Sequence, residues 1–567
     1  MYQGVNASEG IGIGTVAVAV EPDLSYDNVA VEDTAAEKER YAAALASFIE
    51  KTEAQVEHMK VAVGEEEAQI MQGHIMLAQD PGLTDGVNGM IDGGTCAEEA
   101  LVQTSTMFEQ MFLSMDDEMF RLRAADIADI RTGLLAELLG KEVIDLSVLE
   151  EGTVIVVHDL TPSMTATIDK DNVAGIVTET GGRTSHSAII ARALEIPAVL
   201  SVENCCSTMA NGMTAIVDGT HGCVCADPDE KTLAEYTQAA ADFAEQKAAL
   251  EAYRGVKTVT ADGIEKVLAA NIGSPADVAS ALEHDAEAIG LFRSEFLFMD
   301  AAELPCEEEQ FQAYRQVALA LKGAPVIIRT LDVGGDKEIP YLNMVKEENP
   351  FMGHRAVRYC LDNADQYKVQ LRALLRASAF GDIKIMVPLV TCIEEVRAVK
   401  ALVEQCKDEL RAEGVDFNEN IEVGVMMETP GAANIADLLA CEADFFSIGT
   451  NDLTGYTMCA DRGNDRVSNL YSWYYPSVLR SIKFIIESGV KAGIMVGMCG
   501  EAAADPLLTP MLISFGMDEF SCSAPSVLRT RKTISQWSKE DADKLAAEVL
   551  SLKTAEEVKA ALEAAAR

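Results

Sequence analysis

The spacing of apolar and polar residues divides the chain into regions of different secondary structure. From about residue 32 to residue 140, apolar residues recur at helical spacing with few Gly or Pro residues, which predicts a helical bundle or hairpin. Short apolar runs on both sides of this region, separated by Gly, Asp and Asn turns, predict strands. These runs are residues 11–20, 153–157, 173–177, 198–202 and 214–217. The pattern therefore predicts an α/β domain interrupted by an inserted helical subdomain.

After about residue 258 the pattern repeats as a short apolar run, a polar turn and a helical stretch. The runs are residues 267–272, 288–292, 325–328, 383–387, 422–427, 445–448, 494–498 and 519–522. Eight β-α units in roughly 300 residues have the count and size of a (β/α)₈ barrel. An open doubly wound sheet remains the alternative, because it shares this periodicity.

The same pattern gives the expected domain boundaries. We expect residues 1–30 and 141–230 to form the α/β domain, and residues 31–140 to form the helical subdomain. A charged, Ala-rich helix near residues 233–253 would be a semi-rigid linker, which we place at residues 231–257. The barrel would then occupy residues 258–567.

Composition and charge narrow the possible functions. Of the 567 residues, 49% are hydrophobic and 24% charged, which is typical of a folded globular protein and excludes disorder. The formal charge of −47 would repel nucleic acid and anionic lipid. This negative charge either attracts a cationic protein partner or only keeps the protein soluble.

No run of about 18–20 apolar residues predicts a membrane span, and residues 1–20 lack the basic start of a signal peptide, so we expect a cytoplasmic protein.

Polar residues follow several of the barrel runs, where the active sites of such barrels lie. They are Arg293, Arg329, Glu428, Asn451, Asp452 and Cys499, with Lys337, Arg355 and Arg462 elsewhere in the same region. Guanidinium groups bind carboxylate and phosphate bidentately, which indicates a small, highly anionic ligand. Two carboxylates in a cationic site indicate a divalent cation, and Mg²⁺ is the usual one beside phosphate. Cys499 could also be an ordinary buried cysteine.

A second candidate site lies in the α/β domain around His186. A predicted strand leads into the Gly-rich segment 180–186, and a helix is predicted from Ala188. At a helix N-terminus an imidazole is kept neutral, which is its nucleophilic form, and a phosphoryl group bound to it would face free N–H groups. A histidine that only caps the helix is the alternative. The Gly-Gly turn and Arg183 favour the nucleophile.

The motifs resemble those of enzyme I of the bacterial phosphoenolpyruvate:sugar phosphotransferase system. Residues 181–192, GGRTSHSAIIAR, resemble the family's phosphohistidine signature. Further collinear blocks of the barrel resemble its other motifs; these are residues 290–298, 328–337, 349–355, 427–431, 447–453 and 497–501. The resemblance runs nearly end to end. The sequence departs from the family pattern at Glu9, at His354 and in residues 471–476. Near residues 80–82 the sequence is less acidic than the family pattern.

The resemblance implies phosphoryl transfer from phosphoenolpyruvate to His186 and then to the phosphocarrier protein HPr. The resemblance implies that the phosphate and carboxylate of phosphoenolpyruvate are bound by Arg293, Arg329 and Arg462, with Lys337, Arg355 and Asn451 supporting that binding. It implies that Mg²⁺ is bound by Glu428 and Asp452. It also implies that Cys499 protonates enolpyruvate and that Thr165 orients His186. It also implies a swivelling α/β domain, a homodimer formed through the barrel, and HPr docking on residues 70–80 and 123–126. Exposed Met71 and Met76 would suit that docking, although either could instead be bundle core.

Two other functions share these motifs. Phosphoenolpyruvate synthase and pyruvate phosphate dikinase have the histidine domain and the barrel, but they also need an ATP-binding domain, and no Gly-rich nucleotide loop is present. A catalytically silent regulatory homologue would have lost His186, an arginine or the Glu428 and Asp452 pair, and all of these are present.

Overall fold

The computed structural model describes the chain except for residues 20–23, 63–64, 114–117, 142–145, 147–148, 166–167, 183–184, 300, 302, 335–338, 343, 346, 462–463 and 465. The described residues form two compact units, 1–247 and 248–567. Lys337, Arg462 and Arg183 from the sequence analysis lie outside the described residues. No helix in the described part of the chain is long and apolar enough to cross a membrane.

Unit 1 contains one eight-stranded sheet. Its strands are β1 (Tyr2–Gln3), β2 (Val5–Ser8), β3 (Ile11–Val18), β4 (Thr153–Val157), β5 (Val173–Thr178), β6 (Ala198–Leu200), β7 (Thr214–Asp218) and β8 (Cys223–Ala226), in the order β1-β8-β7-β3-β4-β5-β6-β2. Strands β3 to β6 are parallel, and the outer pairings are antiparallel. The parallel centre explains why β4 is buried at every position, since helices cover both faces of such a sheet.

Most helices of unit 1 come between β3 and β4 in the sequence. They are α1 (Thr34–Ala62), α2 (Glu65–Ala78), α3 (Pro81–Asp92), α4 (Ala97–Leu113) and α5 (Glu118–Leu139), followed later by α6 (Pro162–Thr165), α7 (His186–Ala193), α8 (Cys205–Thr208) and α9 (Glu230–Glu251). Asp80 begins α3, because its side chain accepts a hydrogen bond from the Gly82 amide and Pro81 takes the first helical position. The two methionines that the sequence analysis left open between docking surface and bundle core differ in burial. Met71 is buried against Val56, whereas Met76 is 74% exposed.

Unit 2 is a closed barrel, which confirms the predicted fold class and excludes the open sheet. Its parallel strands are β9 (Val267–Ile272), β10 (Ala288–Arg293), β11 (Val326–Arg329), β12 (Ile383–Val387), β13 (Val423–Met427), β14 (Phe445–Ile448), β15 (Met495–Met498) and β16 (Glu519–Cys522). Apolar side chains fill the interior and pack in a cluster that includes Leu291, Ile327, Met386 and Phe445. The interior is therefore a packed core, and the carboxyl ends of the strands remain for chemistry.

The helices of unit 2 surround the barrel and pack on the outer faces of its strands. They are α10 (Asp277–Glu283), α11 (Glu295–Met299), α12 (Glu307–Ala320), α13 (Val357–Asp362), α14 (Ala364–Ala377), α15 (Ile393–Glu413), α16 (Pro430–Asn434), α17 (Ala436–Leu439), α18 (Thr450–Met458), α19 (Pro476–Ala492), α20 (Thr509–Phe515), α21 (Val527–Gln536), α22 (Lys539–Val549) and α23 (Ala555–Ala565).

Candidate active site

A cavity of about 130 Å³ lies at the carboxyl ends of the barrel strands. Its lining includes Arg355 and all six residues that the sequence analysis took from the strand ends. These six are Arg293, Arg329, Glu428, Asn451, Asp452 and Cys499. The strands and the turns after them converge on this end of the barrel, so residues far apart in sequence line one small volume.

Arg329 ends β11 at the base of this cavity and is buried. Its guanidinium pairs with Glu295 and lies 3.0 Å from an oxygen of Asp332. Burial alone would lower the pKa of Arg329, but the carboxylates of Glu295, Asp332 and Glu428 outweigh it and raise that pKa. Arg329 is therefore a fixed cation, and its buried Nε has no hydrogen-bond partner among the described residues.

Arg355 is held by the same carboxylate that holds Arg329. Its Nη2 donates to Asp332 at 3.0 Å and lies 3.3 Å from Asp452, while Nη1 donates to the Tyr456 hydroxyl at 3.2 Å. Asp332 thus sets the spacing of two guanidinium groups. The sequence analysis missed Asp332 and Glu295 as site residues, although both stand in the blocks 328–337 and 290–298 that carry the family resemblance.

Glu428 directly follows β13, and Asp452 lies in the first turn of α18, after β14. Glu428 is buried, and its Oε1 accepts a hydrogen bond of 2.6 Å from the Leu389 amide. Burial raises the pKa of Glu428, and the nearby carboxylates of Asp452 and Asp332 raise it further. A Cβ atom at Gly449 would lie 2.8 Å from Oε2 of Glu428, so glycine keeps space open beside the carboxylate. Crowded carboxylate oxygens with open space fit a hard divalent cation.

Cys499 directly follows β15, and Asn451 lies in the first turn of α18, after β14. The amide of Cys499 donates to the Ile448 carbonyl at 3.1 Å. The Asn451 side chain donates to Glu501 and accepts from the Glu501 amide, both at 3.2 Å, which ties the start of α18 to the segment after β15. Tyr471, from the segment that departs from the family pattern, donates its hydroxyl to the Asn451 carbonyl at 3.0 Å.

Burial raises the pKa of the Cys499 thiol to about 11, so the thiol is protonated at neutral pH. We expect iodoacetamide to modify Cys499 slowly, with a rate that stays low between about pH 7 and pH 9, where an ordinary thiol would become steadily more reactive. Exposed Cys306 and Cys441 are internal controls, and peptide mass spectrometry measures each rate. Alkylation of Cys499 that keeps pace with these two would contradict the protonated state.

His186 is the first residue of α7. Ser185 precedes it as the N-cap, with its hydroxyl accepting a hydrogen bond of 3.3 Å from the Ala188 amide. The backbone of His186 is described, but its side chain lies outside the described part of the chain. Thr165, at the end of α6, is buried in the same unit. The backbone therefore has the helix-start position that suits a phosphoryl acceptor.

Comparison with known proteins gives family matches along most of the chain. Three family models match: PEP-utilising enzyme, N-terminal, at residues 3–123; its mobile domain at 149–222; and its PEP-binding domain at 247–539. A phosphoenolpyruvate-protein phosphotransferase from Priestia megaterium is 46% identical over 98% of this chain and 97% of its own. One from Bacillus subtilis (strain 168) is 46% identical over 98% of both chains. A solution structure described as Enzyme I (nEIt) protein is 37% identical over 43% of this chain and 99% of that one, with a TM-score of 0.39.

Proposed function

The chain belongs to the phosphoenolpyruvate-protein phosphotransferase family, and from that membership we propose that it moves the phosphoryl group of phosphoenolpyruvate to His186 and then to HPr. The observation that carries the proposal is the barrel cavity. It combines fixed cations, a pair of carboxylates and a protonated thiol, which are the groups that this reaction needs.

The arginines of the cavity suit a substrate with both a phosphate and a carboxylate. Arg329 and Arg355 each keep a buried Nε without a partner among the described residues, and each is held in place by Asp332. Phosphoryl transfer depends on positioning and charge stabilisation more than on covalent help from the protein. Groups already held by ion pairs need little reorganisation when the substrate binds.

We propose that Mg²⁺ is the divalent cation and that Glu428 and Asp452 would hold it. When bound, the cation neutralises charge on the phosphoryl group. The raised pKa of Glu428 supports this role, because a buried carboxylate among other carboxylates is ionised at low cost only next to a cation.

Cys499 would act when the phosphoryl group leaves. The O–P bond of phosphoenolpyruvate breaks as an imidazole nitrogen of His186 forms a bond to phosphorus. The enolate that remains takes a proton at its terminal carbon from the Cys499 thiol, which gives pyruvate, and solvent returns a proton to the thiolate. Burial that keeps this thiol protonated supports the role.

His186 belongs to the α/β domain and the barrel cavity to the other compact unit, so the proposed transfer passes from one unit to the other. We propose that α9, which spans the junction between the units, lets that domain swivel. A rigid covalent crosslink between the units should stop turnover, and full activity in the crosslinked protein would exclude the swivel.

We propose that HPr docks on the helical subdomain. Met76 of α2 and Met107 of α4 are 74% and 62% exposed, and flexible thioether side chains suit adaptable apolar contacts. The formal charge of −47 favours encounter with a cationic partner.

Formation of a homodimer through the barrel is proposed on the resemblance alone, and sedimentation measures it.

The proposed function is tested by incubating the full chain with phosphoenolpyruvate labelled at phosphorus and Mg²⁺. The chain should acquire a label that is lost in acid and stable in base, as expected of phosphohistidine. Added HPr should then remove the label from the chain and carry it. A chain that stays unlabelled would overturn the proposal, and a labelled chain that HPr does not discharge would overturn only the choice of carrier.

Removing divalent cations with EDTA should reduce this labelling to background, and Mg²⁺ should restore it. Glu428→Gln should lower the labelling rate by at least about 10²-fold with Mg²⁺ present, because the amide keeps the shape but loses the charge that would hold the cation. Glu422→Gln is the matched control, since Glu422 lies just before β13 and forms a partly exposed ion pair with Lys384. Equal rates in the two variants would contradict the metal role of Glu428.

A further inference from the structure

A cluster of side chains that can ligate a metal ion lies in unit 1. It contains Glu179, which follows β5, and the adjacent residues Cys205 and Cys206 at the start of α8. His158, directly after β4, contacts the same glutamate. We propose that Glu179, Cys205 and Cys206 bind one Zn²⁺ ion. This proposal is independent of the proposed phosphoryl transfer.

The three ligand atoms are close enough for one ion. A carboxylate oxygen of Glu179 and the Sγ atoms of Cys205 and Cys206 all lie within 4.8 Å of one another. Zn–O and Zn–S bonds of about 2.0–2.3 Å put the ligands of a tetrahedral ion roughly 3.3–3.8 Å apart. The ligand atoms would therefore have to approach one another by at most about 1–1.5 Å to hold one ion.

The Glu179 carboxylate is already oriented by two hydrogen bonds. Its Oε2 lies 2.8 Å from Nδ1 of His158, and its Oε1 accepts a bond of 3.0 Å from the Cys206 amide. Hydrogen bonds of this kind commonly orient the ligands of a metal site. His158 thus has the role of a positioning residue, and the three protein ligands leave a fourth position open to water.

One side chain of the cluster is buried in the core, and others are partly exposed to solvent. Cys205 is fully buried and packs in the apolar core beside Val202. The side chain of Glu179 is 20% exposed and that of His158 is 60% exposed. An ion can therefore enter from solvent and meet a cysteine side chain that the core holds in place, and that thiol would release its proton to solvent as the ion binds.

The ligand set selects the type of metal. Thiolates favour Zn²⁺ and softer ions, whereas Mg²⁺ requires oxygen ligands. The cluster should thus discriminate against the cation that we propose for Glu428 and Asp452. The two sites can be titrated separately in one protein if Mg²⁺ is present in excess.

The cluster lies at the start of the segment that leads to α7. Residue Thr180, next to Glu179, donates its amide and its hydroxyl to the His158 carbonyl at 3.1 and 3.2 Å. An ion on Glu179 would therefore fix the first residues of the segment that ends at His186.

The test is a titration of the full chain with Cd²⁺, which replaces Zn²⁺ and gives an ultraviolet charge-transfer band when bound to thiolate. The protein is first freed of metal, reduced with a phosphine and kept anaerobic in millimolar Mg²⁺. We expect a band that saturates at one equivalent of Cd²⁺ and that Zn²⁺ abolishes by competition. Absence of a saturating band would overturn the proposal.

Two variants and one control assign the band to the cluster. Cys206→Ser and Glu179→Gln should each weaken Cd²⁺ binding by about tenfold or more, and the first should also reduce the intensity of the band. Both positions are partly exposed, so both variants should fold, which circular dichroism checks. Cys225→Ser, on β8 of the same unit, should leave binding unchanged. A band that persists unchanged in Cys206→Ser and Glu179→Gln would place the ion elsewhere and overturn the proposal.

Discussion

Replacing His186 with alanine should reduce phosphoryl labelling of the chain by phosphoenolpyruvate to background. The imidazole is the proposed acceptor, and alanine offers no nucleophile. The position at the first residue of α7 also lies at the positive end of a helix, which stabilises a phosphoryl group only if one is bound there. Labelling is measured on intact protein after separation from substrate, with stability of the label in acid and in base as the chemical signature.

The matched control for this variant is His221→Gln. His221 lies in the same unit, in the turn between β7 and β8, and its side chain is 75% exposed and paired with Asp218. It should accept no phosphoryl group, so His221→Gln should label as the unchanged chain does. His186→Ala should also retain the barrel chemistry that does not need the acceptor, such as Mg²⁺-dependent binding of phosphoenolpyruvate. Retained label in His186→Ala would show that another residue is the acceptor.

Replacing Arg329 with methionine should lower the rate of labelling by about 10³-fold or more. A guanidinium that stabilises the charge of a transferring phosphoryl group contributes on this scale. Arg329 is buried at the end of β11 and held by Glu295 and Asp332, so its guanidinium keeps one position at the cavity. Arg329→Lys should recover only part of the rate, because an ammonium group lacks the planar fork that binds two oxygens.

The same substitution should destabilise the barrel. Methionine would leave the buried carboxylates of Glu295 and Asp332 without one of their cations, and breaking a buried ion pair in this way costs about 3–5 kcal/mol. Thermal unfolding must therefore accompany the kinetics. Arg397→Gln, which removes an exposed pair with Glu442, should change neither stability nor rate appreciably. If Arg329→Met were folded and labelled at an unreduced rate, Arg329 would have no part in transfer.

The barrel was predictable because its strands are short and buried on both faces. Such strands appear in sequence as continuous apolar runs, and the polar turn after each run separates it from the next helix. The first and last residues of the strands were less predictable. The run predicted at 325–328 is β11 at Val326–Arg329, since pairing begins one residue later and the arginine itself ends the strand.

Part of the lining of the barrel cavity was also predictable. Residues directly after strands were found because barrel geometry brings all strand ends to one face. Asp332 was missed because an aspartate in a turn has many uses, and only contact with both Arg329 and Arg355 reveals its function. Burial of Met71 was also left open, since two methionines on one helix can face either core or solvent.

The sequence by itself determined the fold class, the order of the elements, the enzyme family and the candidate residues at the strand ends. These properties depend on local periodicity and on contiguous motifs, which the chain displays directly. Tertiary structure alone decided which charges pair, which thiols are buried and that Glu179 lies beside Cys205 and Cys206. Those properties depend on distances between residues that are remote in sequence, and such distances are fixed only when the sheet and the barrel close.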